Sequence, residues 1–187
     1  MAGTVDDERT FVVDGRRWRR SDPGIPESLR AELVAELMDA RRAVGAAGRR
    51  GDRAAQRAAR NRVHDAKVAL GERGAAWWEE PSAEERAARI VATARALLRH
   101  RAPGTICPSD VARVVGGEAW RTLMPAVRAT ALAAGDEIEV RRGGEPVADP
   151  TTVPGPIRLA LRPQGGPSTP SGEPGAAAGR DRRSPRR

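Results

Sequence analysis

The chain has 187 residues, enough for one ordinary domain or two small ones. Hydrophobic residues make up 39% but aromatics only 3%, and much of the apolar content is alanine, so the core must come from closely packed helices and modest stability is expected. The formal charge of +8 invites a polyanion partner, the single cysteine (Cys107) excludes an internal disulfide, and no run approaches the roughly 18 apolar residues of a membrane-spanning helix.

Residues 1–8 are acidic at Asp6, Asp7 and Glu8 and carry no apolar stretch. They read as disordered and unlike a secretory signal, so a cytoplasmic location is expected. Residues 9–20, RTFVVDGRRWRR, hold Asp14-Gly15 between two short strand-like runs. That pair favours the positive φ of a two-residue hairpin turn, and the register it implies puts Val13 opposite Arg16, Val12 opposite Arg17 and Phe11 opposite Trp18.

Two prolines and a glycine make residues 21–26 a turn. An amphipathic helix follows from about Pro26 to Ala47, with Ile25, Leu29, Leu33 and Leu37 recurring every four residues. Gly48 and Gly51 bracket a turn, and a second helix runs from about Asp52 to Leu70, where Gly71 and Gly74 stop it. Its stripe of Ala55, Ala59, Val63 and Ala66 lets the pair approach closely as an antiparallel helical hairpin. Together, residues 9–80 form a β-hairpin and helical-hairpin region.

Ser82-Ala-Glu-Glu85 is a capping box. The helix it opens stops before Pro103-Gly104, and Pro108 starts a short second helix ended by Gly116-Gly117. A third helical stretch, AWRTLMPAVRATALAA, contains Pro125, which cannot donate to the residue four back. It is expected either as a turn at 119–123 leading into a helix at 125–134, or as one helix kinked at the proline. The period then changes to two: Ile138 and Val140 form a strand, 142–146 a turn, Val147 a brief return, and Ile157, Leu159 and Leu161 a closing strand. The fold class is therefore mostly α with a small β part, and 82–162 has the element order of a winged helix-turn-helix. The tail from 163 to 187, rich in Pro, Gly, Ser and Arg, is expected to be disordered.

A resemblance supports this division. The run TICPSDVARVVGGEAWRTLMPAVRATALAAGDEIEVRRGGEPV, followed by GPIRLAL, resembles the bacterial domain of unknown function numbered 3253 over about residues 86–162. The features that carry it are Pro108-Ser109, Val111-Ala112-Arg113, Trp120, Met124-Pro125 with Val127-Arg128, and Gly155-Pro156-Ile157-Arg158. The resemblance implies a winged-helix-like fold and no established activity. The N-terminal run GRRWRRSDPGIPESLRAELVAELMDARRAV, with RVHDAKVALGERG, resembles bacterial proteins labelled biopolymer transporter Tol. With no membrane segment or signal to accompany it, no transport activity is carried over.

Arg113, Arg121, Arg128 and Arg158 are the leading binding candidates. On a nucleic-acid reading, Arg121 and Arg128 project from the third helix, with Arg141 and Arg142 at the wing tip near a backbone phosphate. On a structural reading, Arg128 and Arg158 pair with Asp110, Asp136 or Glu137 and hold the wing to the helices. Arg16 to Arg20, including Arg17 and Arg19, form a basic patch around Trp18 suited to stacking and phosphate contact. Trp18, Trp77 and Trp78 can instead anchor a protein partner, as in an adaptor whose winged helix is a scaffold. His64, His100 and Cys107 lie on different elements without ligand spacing, so no metal and no cofactor is expected. No catalytic motif is present. By segment, the Lys/Arg excess is +2 over residues 1–81, +3 over 82–162 and +3 over 163–187, which places the densest excess in the tail.

Overall fold

Turn chemistry fixes the first element. The computed structural model describes residues 8–147 and 155–162; the tail from Pro163 and most of the loop after the wing turn lie outside the described residues. Strands β1 (Thr10–Val13) and β2 (Arg16–Arg19) pair with Phe11 opposite Trp18, the register expected from the turn. Asp14 and Gly15 take φ values of 48° and 72°, as a two-residue turn matched to strand twist requires.

Helix α1 (Glu27–Arg49) and helix α2 (Arg53–Ala69) form the helical hairpin. α1 continues through Gly48, two residues past its expected end, because Ala47 is buried there and packing outweighs the roughly 1 kcal/mol that a helical glycine costs. Asp52 caps α2 by accepting from the Ala55 N–H at 2.9 Å. Gly71 ends α2 at φ 77°, where a Cβ would sit 3.1 Å from both Trp77 and Asp22. Gly71→Ala is therefore expected to destabilise by about 1–3 kcal/mol, measurable as a lower denaturant midpoint.

Helix α3 (Ala83–His100) opens with the Ser82–Glu85 capping box, both hydrogen bonds being formed. Helix α4 (Pro108–Gly116) leads through a 3-10 turn (Gly117–Ala119) into helix α5 (Trp120–Ala133). α5 is one helix that begins at Trp120, so the version with a turn at 119–123 does not form. Pro125 sits in its sixth position on an exposed face, where the ring meets water and only one backbone hydrogen bond is forfeited.

Strands β3 (Ile138–Arg142), β4 (Glu145–Pro146) and β5 (Arg158–Leu161) make an antiparallel sheet in the order β4-β3-β5. The return strand starts at Glu145 rather than Val147, because Gly143 and Gly144 both adopt positive φ and turn the chain in two residues. Ile106 adds a bridge to Leu159 and so ties the entry to α4 onto β5. Three helices followed by this sheet are compatible with a winged helix-turn-helix.

One apolar core runs through both halves, from Leu33 and Leu70 through Leu97 to Val127 and Leu159. α3 is its axis, and its arginines reinforce the join. Arg89 donates to Asp22 at 2.7 Å, Arg99 to Asp65 at 2.6 Å, and Arg95 to Glu137 at 2.6 Å. Just beyond the helix, Arg101 grips both oxygens of Glu32 and also Asp110. The hydrogen bond to Glu32 raises the Arg101 guanidinium above its ordinary value, against the opposing effect of burial. No helix among the described residues is long and apolar enough to cross a membrane.

Candidate nucleic-acid interface

The α4–α5 corner carries the leading site residues. Trp120 opens α5, half-buried against the core, and lies between two guanidinium groups: Arg113 from α4 at 4.8 Å and Arg121 at 4.6 Å from its ring centroid. Arg128 follows Arg121 by seven residues and so shares its face of α5. Arg113, Arg121 and Arg128 are all exposed, and none forms an ion pair or side-chain hydrogen bond among the described residues. Stacking on Trp120 holds two of them in place while leaving their N–H edges open.

Of the carboxylates expected as partners for Arg128 and Arg158, two are engaged elsewhere, and Asp136 forms no ion pair with either arginine among the described residues. Asp110 is held by Arg101 and Glu137 by Arg95. Arg158 instead donates to the hydroxyl and carbonyl of Thr105, at 3.0 and 3.3 Å. At the wing, Arg141 is paired with Glu139 at 2.5 Å, whereas Arg142 is exposed and lies against Gly155. The structure thus separates these two arginines: Arg141 is tied down, whereas Arg142 has no ion pair or side-chain hydrogen bond among the described residues.

The hairpin patch divides in the same way. Arg17 is exposed, with no side-chain bond among the described residues. Arg19 donates to the carbonyls of Gly71, Gly74 and Ala75 at 3.3, 3.0 and 2.9 Å, clamping the β-hairpin to the loop after α2. Trp77 donates to the Arg20 carbonyl at 3.1 Å and meets Trp78 edge-on at 5.0 Å, while Trp78 receives Arg9 and Arg19 on its ring. Trp18 is covered by Arg16 and Lys67. These three tryptophans are committed to joining the β-hairpin and the helices.

Exposed His64 meets Arg73, and Cys107, at the N-cap position of α4, accepts from the Ser109 hydroxyl at 2.9 Å through its sulfur. A cleft of about 1140 Å³ between α2, α3 and the α4–α5 corner is lined by Arg86, Arg89 and Arg95. Each of those arginines already holds a carboxylate.

Charge balances over whole segments conceal a further set of open cations. Arg49, Arg50, Arg53, Arg57 and Arg60 surround the α1–α2 turn, all exposed and without a side-chain bond among the described residues. Residues 41–62 contain eight arginines against one carboxylate, a larger excess than the +3 of the tail. A window of about 20 residues moved along the sequence detects it.

No curated protein matches the chain in sequence. Residues 87–162, most of α3 through the closing strand, match the family model described as Protein of unknown function (DUF3253).

Proposed function

We propose that the chain binds a nucleic-acid backbone through the α4–α5 corner and the wing tip, with Arg113, Arg121, Arg128 and Arg142 contacting phosphates. The observation that carries this reading is a contrast between two sets of arginines. Arg62, Arg89, Arg95, Arg99 and Arg101, at the helix junctions, all hold carboxylates, whereas the α4–α5 set holds none among the described residues. An unpaired guanidinium beside an aromatic ring is a prepared phosphate ligand, because its fork geometry is already oriented. The face of α5 bearing Arg121 and Arg128 also carries Thr122, Pro125 and Ala129, without the Asn, Gln or Lys that reads base edges, so binding is sequence-tolerant. An adaptor role draws less support, since Trp18, Trp77 and Trp78 are engaged inside the chain.

Titration of a labelled mixed-sequence duplex with the Arg113→Ala/Arg121→Ala/Arg128→Ala variant tests the proposal. The slope of log affinity against log salt should shrink by about 2.7, or about 0.9 per lost phosphate contact. An unchanged slope and affinity would remove these residues from the interface.

A further inference from the structure

We propose that the tip of the α1–α2 hairpin is a second phosphate-binding surface, one that takes the sugar–phosphate backbone of a nucleic-acid duplex without reading its sequence. It rests on the duplex-binding reading for its ligand class, but on different residues. Residues 41–62 carry a net +7 in a chain whose whole formal charge is +8; Arg42 and Arg62 pair with Asp39 and Glu36 just outside the stretch, and Arg49, Arg50, Arg53, Arg57 and Arg60 hold no carboxylate among the described residues. Their one carboxylate, Asp52, is occupied in capping α2.

Arg53, Arg57 and Arg60 are spaced i, i+4, i+7 and so share one face of α2. They span roughly 10 Å of helix axis at 1.5 Å per residue. One DNA strand presents a phosphate about every 3.4 Å along its axis, so the stripe matches a short run of phosphates. Arg49 and Arg50 stand across the turn at the end of α1.

Helix physics alone disfavours this arrangement. Arg53 is the first residue of α2, where the macrodipole is positive; the Asp52 cap offsets part of that field, but no residue within the first turn is acidic. Arg53 and Arg57 are like charges at i, i+4, which also repel. α1 follows the opposite rule, with Glu27 in its first turn and Arg49 in its last. Cations kept where they weaken their own helix mark a surface held for a ligand.

The small residues around them narrow the ligand class. Residues 41–62 contain Ala, Gly and one Val (Val44) but no Leu, Ile, Phe or Trp. A helix that lies in a lipid surface needs large apolar side chains, and a protein interface needs aromatic anchors. Neither is present, while arginine forks suit phosphate.

The experiment compares full-length chains: wild type, Arg53→Ala/Arg57→Ala/Arg60→Ala, and the α4–α5 triple variant described above. Each is titrated with the mixed-sequence duplex across a salt series and with phosphatidylserine–phosphatidylcholine vesicles, and its thermal midpoint is recorded. The hairpin variant is expected to lose about 2.7 of the salt slope while its midpoint holds or rises. Loss restricted to the α4–α5 variant overturns the hairpin surface and leaves the corner reading standing. Loss restricted to the hairpin variant does the reverse. Wild type that binds vesicles but not duplex overturns both, as does wild type that binds neither. A fall in midpoint together with lost binding, repeated in Arg53→Gln/Arg57→Gln/Arg60→Gln, reassigns these arginines to structure.

Discussion

Replacing Arg62 with alanine is expected to destabilise the protein by about 3 kcal/mol, the lower end of what breaking a buried ion pair costs. Glu36 is 1% exposed and its two oxygens accept from the Arg62 Nε and Nη2, both at 2.8 Å. That bond raises the Arg62 guanidinium above its ordinary value, overcoming the lowering effect of burial. Removing the arginine leaves a carboxylate enclosed between α1 and α2 with no counter-ion. Because the Arg62 side chain is itself 31% exposed, some water reaches the gap, which is why the lower figure applies. Removing both charges, as in Glu36→Leu/Arg62→Met, is expected to recover most of the loss, since well-packed apolar residues replace such pairs at little net cost. Denaturant unfolding checks this: the single variant should shift its midpoint down at constant slope and the double variant should not. Equal losses in both would show that the site depends on the ion pair's geometry and not on its buried charge.

The second large effect concerns α3. Leu97 is fully buried in the core shared by both halves, and Leu97→Ala should cost about 2–5 kcal/mol through lost transfer energy and the cavity left behind. Its wider consequence is cooperative. With Arg89, Arg99 and Arg101 binding Asp22, Asp65 and Glu32 across the junction, the helical hairpin and the wing-bearing segment should unfold together. In Trp120→Phe, the remaining tryptophans report only on the N-terminal half, while helical circular dichroism reports on the whole chain. Their transitions should coincide, in this background and with Leu97→Ala added. Two separated transitions would mean that the halves are independent units in contact.

Local chemistry was legible in the sequence where a turn or a cap determines the outcome. Asp14-Gly15 implied the register that pairs Phe11 with Trp18, and Ser82 to Glu85 implied the start of α3. Where packing competes with local preference, the sequence is less decisive: α1 runs through Gly48, and of the two alternatives for the third stretch it is the continuous helix through Pro125 that forms. The turn expected over 142–146 is shorter in the structure, since two adjacent glycines suffice for a two-residue turn and the return strand begins at Glu145. Partner choice among charged side chains was the least legible layer. Nothing in the spacing shows that Arg101 and Arg95 take the carboxylates proposed for Arg128 and Arg158, because those contacts exist only after α3 is threaded between the two halves. The same concealment applied to the α1–α2 tip, where acidic residues on either side cancelled its charge in any long average.

The most direct test of the account is the affinity of the intact chain for a mixed-sequence duplex, followed from low to moderate salt. Arg113, Arg121, Arg128 and Arg142 together with three arginines on α2 predict a log–log slope of about −6, at 0.9 per phosphate. Affinity that stays level as salt rises, or no complex even at the lowest ionic strength, would contradict it.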